Sequence, residues 1–219
     1  MDKLWPETRF LLTRLTSQFN ILHMAKTPAR QKVIEASIQL MTGRGYAATT
    51  VDDIVQQAGV AKGSVYHAFK SKEEMVIASL EYYLAQGLEI LANGSFRDIE
   101  DPVEKALAFV QHVEDKSTQL WTHGCLLGSL AIEVAESYPA LIREIDKLFI
   151  RLEGIIASLF APALEARGVT TVTAQGLSVH LLAVIEGSII AARSHNRQEY
   201  LQDGIRHFRQ YLALLLGSG

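Results

Sequence analysis

The chain has 219 residues, 48% of them hydrophobic, which is enough to bury the core of one extended domain or of one small and one larger domain. A single cysteine, Cys125, excludes an intramolecular disulfide framework and favours a reducing compartment, so we expect a cytoplasmic protein. The net charge of −3 divides unevenly: residues 24–72 carry seven Lys and Arg against three Asp and Glu, and the chain after Lys72 is acidic. A basic N-terminal block on an acidic body is typical of a chain whose smaller part binds a polyanion.

The sequence favours neither a membrane span nor a secretion signal. The apolar run nearest to the roughly 18 residues that a membrane-spanning helix needs is Leu181 to Ala192, and Glu186 and Ser188 interrupt it. The first residues lack the compact apolar block and the cleavage site of a signal peptide. Because Met24 offers a second start, we expect residues 1–23 to be an extension that is either disordered or upstream of the true start.

The N-terminal part is predicted to form three short helices. Apolar residues at helical spacing follow Thr27-Pro28, which can open a first helix that ends near Gly43 to Gly45. Thr50 can cap a second helix, and Gly59 ends it. A short turn then leads into a third helix within Ala61 to Phe69. Two brief helices separated by a glycine-containing turn form the helix-turn-helix pattern.

The remainder of the chain is also helical in pattern, without a convincing period-two strand run or a fixed-period repeat. Ser71-Lys72-Glu73-Glu74 resembles a capping box that opens a long amphipathic helix ending at about Ala92. Further helices are predicted over Pro102 to Thr118, Gly124 to Glu136, Pro139 to Arg167, Ala174 to Ser194 and Arg197 to Leu216. The expected fold class is therefore all-α, with about nine helices.

The segment Ala61 to Phe69 has the composition of a helix that reads DNA. A helix of two turns is narrow enough for the major groove, where base edges are exposed. Val65 and Phe69, four residues apart, can anchor the inner face, and Gly63 lacks a side chain where the backbone and DNA approach each other. The side chains that can point outward are those of Lys62, Ser64, Tyr66 and His67.

Two segments of the chain carry a resemblance to a known family. They are Thr49-Thr50-Val51-Asp52-Asp53-Ile54 and the run from Ala58 to Glu74, which reads AGVAKGSVYHAFKSKEE. Both resemble the signature of TetR-family regulators, and the likeness extends back through Gly45-Tyr46 to the first helix. The resemblance implies a three-helix DNA-binding domain with a helix-turn-helix over residues 24–71, and a helical ligand-binding and dimerisation domain over residues 72–219.

The resemblance also implies which residues contact DNA. The expected phosphate contacts are Thr50, Lys62, Tyr66, His67 and Lys72, and the residues expected near base edges are Gly63 and Ser64. One position departs from the family pattern. Where the family often has a serine that caps the recognition helix and meets a phosphate, this chain has Ala61, which can do neither. The loss of such a cap costs about 1 kcal/mol of local stability.

The function that the resemblance implies is ligand-responsive regulation of transcription. A homodimer would repress from a palindromic operator of double-stranded DNA until a small-molecule effector releases it. The sequence does not fix the regulatory sign, and an activator is the alternative. The other classes considered are an enzyme and a helical interaction protein that does not bind DNA. The sequence shows no constellation of nucleophile, base and orienting group and no glycine-rich phosphate loop, so we predict no catalytic residue and no cofactor.

The last two predicted helices are more apolar than one exposed helix pair should be. Their apolar residues are Leu177, Leu181, Val184, Ile185, Ile189 and Ala192 on one helix, and Phe208, Tyr211, Leu212, Leu214 and Leu215 on the other. We therefore expect a homodimer formed through these two helices. Such a dimer would set two recognition helices about one DNA turn apart, roughly 34–36 Å.

The middle helices supply candidates for a small-molecule pocket, because such cavities combine aromatic and aliphatic walls with a few polar groups. The candidates are Phe109, His112, Val113, Leu120, Trp121, Cys125, Leu126, Phe149, Leu152, Ile156, His180, Val184 and Glu186. The same composition also suits an ordinary helical core. The histidines follow no ligand spacing such as two on successive turns of one helix, so no metal site is predicted.

Two of these candidates have alternative interpretations. Cys125 lies in Gly124-Cys125-Leu126-Leu127-Gly128, which resembles a stretch in a branch of the family that includes sensors of electrophiles or oxidants. The Cys125 thiol is either such a sensor, which requires an accessible thiolate, or a small buried hydrophobe. Glu186 lies on an otherwise apolar helix, where it could receive a cationic ligand, pair across a dimer or reach solvent.

Overall fold

The computed structural model describes residues 27–217, so the predicted extension over residues 1–23 lies outside the described residues. Within that range the chain forms nine α-helices and one 3-10 helix, and none of the described residues is in a strand, which confirms the all-α prediction. The helices are α1 (Pro28–Arg44), α2 (Val51–Ala58), α3 (Lys62–Ala68), α4 (Lys72–Ala92), the 3-10 helix (Ser95–Asp98), α5 (Pro102–Trp121), α6 (Leu126–Val134), α7 (Pro139–Ala166), α8 (Ala174–His195) and α9 (Glu199–Leu215).

The first helices begin and end at local signals in the sequence. Thr27 caps α1, because its hydroxyl accepts a hydrogen bond from the Arg30 amide at 3.2 Å. Ser71 accepts a hydrogen bond from the Glu74 amide at 3.2 Å, as a cap of α4 should. The Glu74 carboxylate in turn accepts a hydrogen bond from the Lys70 amide at 2.7 Å. In the predicted capping box, the Glu74 carboxylate would accept a hydrogen bond from the Ser71 amide. In the structure it accepts one from the amide of the preceding residue, Lys70, instead.

Two regions differ from the predicted elements. Gly124 has a φ of +92°, a conformation that favours glycine and that stops the chain from continuing as a helix. For this reason α6 begins at Leu126, with Cys125 as its N-cap, and not at Gly124 as predicted. The 3-10 helix Ser95–Asp98 was not predicted at all, and its one buried residue is Phe96.

The described residues pack as two compact units. The first unit comprises residues 27–87 and Cys125–Leu148, and the second unit comprises Leu88–Gly124 and residues 149–217. In the first unit, α1 to α4 surround a core in which five large side chains are at most 1% exposed: Ile34, Ile54, Val65, Phe69 and Met75. Two of them, Val65 and Phe69, belong to α3 and its C-cap, so the inner face of this short helix is fixed by packing.

The interior of the second unit contains a row of aromatic rings. The centroid of Phe96 lies 5.3 Å from that of Phe109, which lies 6.2 Å from Phe160. Phe160 in turn lies 6.1 Å from Phe208. These separations are typical of attractive ring pairs, which add to the free energy gained by burying the rings. The row joins α5, α7 and α9 into one core.

A charged pair and a close helix crossing also hold the second unit. The buried carboxylate of Glu114 on α5 accepts a hydrogen bond from Nε of Arg206 on α9 at 3.0 Å. A buried carboxylate without such a partner would be costly, so the pair fixes α9 against α5.

On α8 and α9, a Cβ at Gly204 would lie 2.0 Å from Oγ of Ser188, so these two helices cross with no room for a side chain.

One described helix, α8, is long and apolar enough to span a membrane, judged by length and composition alone. Its most apolar window has a mean hydropathy of 1.5, and 28% of that window is buried in the chain. No membrane span was predicted here from the sequence, because Glu186 and Ser188 interrupt the longest apolar run of the helix. A core helix meets the same criteria, so this property is weak evidence for a membrane.

Candidate DNA interface

Helix α3 exposes the side chains that were predicted to point outward. Lys62, Ser64, Tyr66 and His67 are exposed, as is Gly63, whereas Val65 is fully buried. Tyr66 is 53% exposed, which is unusual for a large aromatic side chain with an apolar ring. The helix therefore presents a continuous face of positive, hydroxyl and aromatic groups to solvent.

The start of α3 has no side-chain cap. Ala61 occupies the N-cap position, and no side chain there makes a cap hydrogen bond. The backbone carbonyl of Ala61 accepts a hydrogen bond from the Ser64 amide at 2.9 Å, which closes the first turn. The departure from the family pattern at Ala61 thus affects the cap and leaves the helix in place.

Thr50 and Asp53 form a reciprocal capping box at the start of α2. The Thr50 hydroxyl accepts a hydrogen bond from the Asp53 amide at 3.1 Å and donates one to Asp53 Oδ2 at 2.6 Å. The Thr50 amide also donates to Asp53 Oδ2, at 2.9 Å. These hydrogen bonds, followed by the charge of Arg44 at 2.7 Å, lower the pKa of Asp53 below its ordinary value. Thr50 is thereby held in one orientation at the exposed end of the helix.

Lys62 is paired with a carboxylate of the preceding helix. Its Nζ lies 2.6 Å from Oδ1 of Asp52, and both side chains are largely exposed. The hydrogen bond to Asp52 raises the pKa of Lys62, so the ammonium stays charged. Exposed ion pairs of this kind contribute little net stability, so a DNA phosphate could replace Asp52 at small cost.

Lys72, another of the predicted phosphate contacts, is engaged by Tyr46 in the turn between α1 and α2. Its Nζ donates a hydrogen bond to the carbonyl oxygen of Tyr46 at 2.6 Å and lies 3.9 Å from the centre of the Tyr46 ring. The side chain is half-buried, and this burial lowers the pKa of Lys72. Only the remaining N–H groups of the ammonium are available for a phosphate, so Lys72 serves the packing of the unit as well.

Glu133 on α6 was not predicted as a site residue. Its carboxylate accepts hydrogen bonds from the backbone amides of Tyr46 and Ala47, each at 2.8 Å. We call this pair of hydrogen bonds the Glu133 clip. The residues that it joins are 86 and 87 positions apart, so no local pattern could have indicated it. The positive φ of +80° at Gly45 is the one local sign of an unusual turn here.

The predicted pocket residues fall into the second unit, except Cys125 and Leu126. Those that are buried are Phe109, Val113 and Ile156, and those that are half-buried are His112, Leu120, Trp121, Phe149, Leu152, Val184 and Glu186. His112 Nε2 lies 3.2 Å from the carbonyl oxygen of Ile90, and its ring lies 5.7 Å from Phe96. His180 is exposed, with its ring 5.1 Å from that of Phe208. The aromatic row thus contains the predicted pocket residue Phe109, and His112 and His180 lie beside it. Its other members, Phe96, Phe160 and Phe208, were not predicted as pocket residues.

Cys125 belongs to the first unit together with Leu126. It is buried and reduced, and its Sγ accepts a hydrogen bond from the Gly128 amide at 3.4 Å, as the N-cap of α6. Within residues 27–217, no group of three or more His, Cys, Asp and Glu side chains is placed to hold a metal ion.

Two family models match this chain. The model described as bacterial regulatory proteins, tetR family, matches residues 33–78. The model described as transcriptional regulator LmrA/YxaF-like, C-terminal domain, matches residues 102–207. The first match contains the helix-turn-helix, and the second contains most of the second unit.

The chain is also similar to curated relatives. The uncharacterized HTH-type transcriptional regulator YxaF of Bacillus subtilis (strain 168) is 30% identical over 74% of this chain and 83% of its own length. The HTH-type transcriptional repressor NemR of Escherichia coli (strain K12) is 28% identical over 84% of this chain and 94% of NemR. This chain covers less than two thirds of the length of three further relatives. It covers 22% of the regulator YerO of Bacillus subtilis (strain 168), 66% of a regulator in the lacX 3'region of Lactococcus lactis subsp. lactis and 62% of the repressor DhaR of Mycobacterium sp. (strain GP1).

A solved structure has the same fold. The TetR transcriptional regulator from Chloroflexus aurantiacus J-10-FL is 26% identical to this chain, with a TM-score of 0.72 over 84% of this chain and 94% of the other. The sequence relatives, the family models and the fold agree. The chain belongs to the TetR family of bacterial regulatory proteins, whose members are transcriptional regulators and not enzymes.

Proposed function

We propose that this chain is a homodimeric repressor that binds a palindromic operator in double-stranded DNA and is released by a small molecule. The observation that carries the proposal is the outer face of α3, on which Lys62, Ser64, Tyr66 and His67 are all exposed while Val65 and Phe69 anchor the helix. Thr50 at the start of α2 lies at an exposed helix N-terminus, where a phosphate is favoured. Residues 24–71 form the DNA-binding domain in this proposal.

The dimer is proposed to form through α8 and α9 within the domain of residues 72–219. Apolar side chains remain exposed on both helices: Val179 and Ile190 on α8, and Tyr200, Tyr211 and Leu214 on α9. Leu214 is 75% exposed and Ile190 is 58% exposed, which is unfavourable in water for side chains of this size. A second copy of the chain would cover them, and this also accounts for an apolar α8 without a membrane.

The effector is proposed to bind within the second unit. The aromatic row from Phe96 to Phe208, with His112 and His180 beside it, offers apolar walls and two polar imidazole rings that can form hydrogen bonds. The remaining candidates are Val113, Leu120, Trp121, Phe149, Leu152, Ile156, Val184 and Glu186 from the same unit. A ligand that binds better to the conformation unable to bind DNA would shift the dimer toward that conformation.

The sign of regulation is proposed from a relative. NemR carries the name of a transcriptional repressor, and its match extends over 84% of this chain. An activator would use the same DNA interface. A reporter gene placed behind a DNA site that the protein binds therefore distinguishes a repressor from an activator. A repressor gives higher expression when its own gene is deleted, and an activator gives lower expression. Such regulation takes place in the cytoplasm, where we expect the protein.

The test of DNA binding begins with selection of bound fragments from genomic DNA, followed by affinity measurements on a selected duplex at several salt concentrations. Lys62→Gln is expected to weaken binding to every sequence and to reduce the slope of log affinity against log salt by about one. Lys147→Gln is the matched control, because Lys147 is equally exposed and is paired with Glu144 at 2.7 Å. Absence of any salt-dependent binding by the unaltered protein would overturn the proposal.

A further inference from the structure

The turn between α1 and α2 is built around a carboxylate from a distant helix. The successive amides of Tyr46 and Ala47 both donate to Glu133, one to each carboxylate oxygen, at 2.8 Å. Two adjacent N–H groups that converge in this way form an anion-binding concavity. In this chain the anion is internal, and α6 supplies it.

Gly45 confirms that the turn is shaped around Glu133. A Cβ at Gly45 would lie 2.5 Å from Oε2 of Glu133, which is closer than real atoms approach. The residue also has a φ of +80°, which side chains rarely adopt. Glycine is therefore required here both by the backbone conformation and by the space that the carboxylate fills.

The same turn is held from its other side by the start of α4. Lys72 donates to the Tyr46 carbonyl at 2.6 Å, and the Tyr46 hydroxyl donates to Glu73 at 3.0 Å. Burial, followed by this hydrogen bond to Glu73, raises the pKa of Tyr46, so the hydroxyl keeps its proton. The Tyr46 ring also packs edge-on against Tyr138 at 4.7 Å. Tyr46 is thus fixed by α4 and by α6 and the residues that follow it.

A short series of hydrogen bonds continues from this turn to the DNA-contacting end of α2. The Thr49 hydroxyl donates to the Gly45 carbonyl at 2.7 Å, and the Thr49 amide donates to the Tyr46 carbonyl at 3.2 Å. Thr49 is fully buried, so its hydroxyl has no water to replace that bond. The next residue, Thr50, is the N-cap of α2. The position of the cap therefore depends on the geometry of the turn.

We propose that Glu133 is a positioning residue for DNA binding, which fixes the Gly45 to Ala47 turn and through it the Thr50 cap at the phosphate-facing end of α2. The inference rests on the proposed function, because it assigns a role to Glu133 at the same DNA interface. It differs from a purely structural role in one respect. A structural contact affects the stability of the chain, whereas a positioning residue affects the affinity for DNA of protein that is fully folded.

The test compares Glu133→Gln with Glu136→Gln. The first variant keeps the size of the side chain but replaces one acceptor oxygen with a donor that faces an amide. The second removes a charge from the same short segment at an exposed position, and so controls for electrostatics. With a duplex selected by the unaltered protein, we expect E133Q to bind about three- to tenfold more weakly, as the loss of one net hydrogen bond predicts. We expect a smaller salt slope for E133Q and no change for E136Q.

Amide hydrogen exchange followed by NMR locates the effect. In E133Q we expect faster exchange at Tyr46 and Ala47, because only one acceptor oxygen is left for the two amides, and also at Asp53, whose amide donates to the Thr50 cap. The Phe69 amide, bonded to the Val65 carbonyl at 2.9 Å in the core, should be unchanged and reports that the unit is folded. If E133Q unfolds, Glu133→Asp keeps the charge with a shorter reach and should show the same pattern to a smaller degree.

Several results would overturn the inference. Equal DNA affinity of E133Q and E136Q, with faster exchange at Tyr46 and Ala47, would make Glu133 a structural residue only. Unchanged exchange at Asp53 would break the link to the Thr50 cap, and unchanged exchange at Tyr46 and Ala47 would remove the clip itself. In contrast, failure of the unaltered protein to bind any DNA would contradict the proposed function and not the clip.

Discussion

Gly63 is the second residue of α3, where nothing in the chain requires a glycine. A Cβ at this position would meet no atom within 4 Å, and Gly63 is not among the glycines with positive φ. Glycine within a helix costs up to about 1 kcal/mol relative to alanine, and less in the first turn than in the interior. A reason to keep this cost lies outside the unbound protein, and close approach of DNA to the α3 backbone provides one.

The first prediction therefore concerns Gly63→Ala. We expect the variant to raise the free energy of unfolding by up to about 1 kcal/mol, because alanine favours the helix, and to weaken binding to a selected duplex. Thermal unfolding and salt-dependent binding measure the two effects. Gly154→Ala, at an exposed position of α7 with equally open surroundings, is the control that should gain stability without losing affinity. Unchanged DNA affinity in Gly63→Ala would remove the argument for close approach.

A second prediction at this scale concerns acid and Asp53. The hydrogen bonds from Thr50, and then Arg44, lower the pKa of Asp53 from its ordinary value of 3.8, so the folded chain favours the ionised carboxyl. This stabilisation is present above the unfolded pKa and is lost as the pH falls through the lower folded pKa. Asp53→Asn should thus be less stable than the unaltered chain at neutral pH, and the difference should shrink below about pH 4. Urea unfolding across this range checks the sign, and a difference that grows in acid would contradict it.

Among the elements, those with local signals were predicted almost to the residue. Thr27, Thr50 and Gly59 delimit α1 and α2 where the sequence indicated, because caps act within three or four positions along the chain. The inward and outward faces of α3 also followed from the spacing of Val65 and Phe69. The start of α6 was misplaced, since cysteine is not a usual cap and the φ of Gly124 is set by its surroundings.

The contacts that the sequence did not indicate join residues far apart in the chain. Lys72 was predicted to reach a phosphate, but its hydrogen bond to Tyr46 connects residues 26 positions apart. Glu133 was not singled out, because an exposed glutamate on a helix is common and its partners are backbone amides. Local pattern therefore predicted the exposed face of α3, whereas the tertiary contacts that hold the first unit together could not be read from it.

The third prediction concerns the N-terminus of α6. Because the Cys125 thiol is buried and accepts the Gly128 amide, we expect it to react with a thiol reagent far more slowly in the folded chain than in urea. Cys125→Ser should keep the cap, since serine is a better N-cap, and should respond to effectors unchanged. Loss of release from DNA by reactive aldehydes or quinones in Cys125→Ser would contradict this and identify the thiol as a sensor.

At the scale of the whole molecule, the exposed apolar side chains of α8 and α9 predict the oligomeric state. We expect the unaltered chain to be a dimer by light scattering, and Leu214→Glu to shift it toward a monomer, because a charge would be buried in the interface. Ile132→Glu is the matched control, since Ile132 on α6 is also 75% exposed but lies in the first unit. The monomeric variant should lose affinity for a palindromic duplex and keep weak binding to a half-site. Dissociation of the dimer by Ile132→Glu, or no dissociation by either variant, would place the interface elsewhere. A monomeric unaltered chain would exclude the dimer.

The crossing of α8 and α9 at Gly204 has a consequence for how such a dimer assembles. Because Gly204 has no side chain, Ser188 of α8 packs directly against the backbone of α9, and the two helices are in close contact here. The surface offered to a second copy is therefore preorganised in the single chain. Association then loses little conformational entropy, and more of the free energy from covering Ile190 and Leu214 is expressed as affinity between subunits.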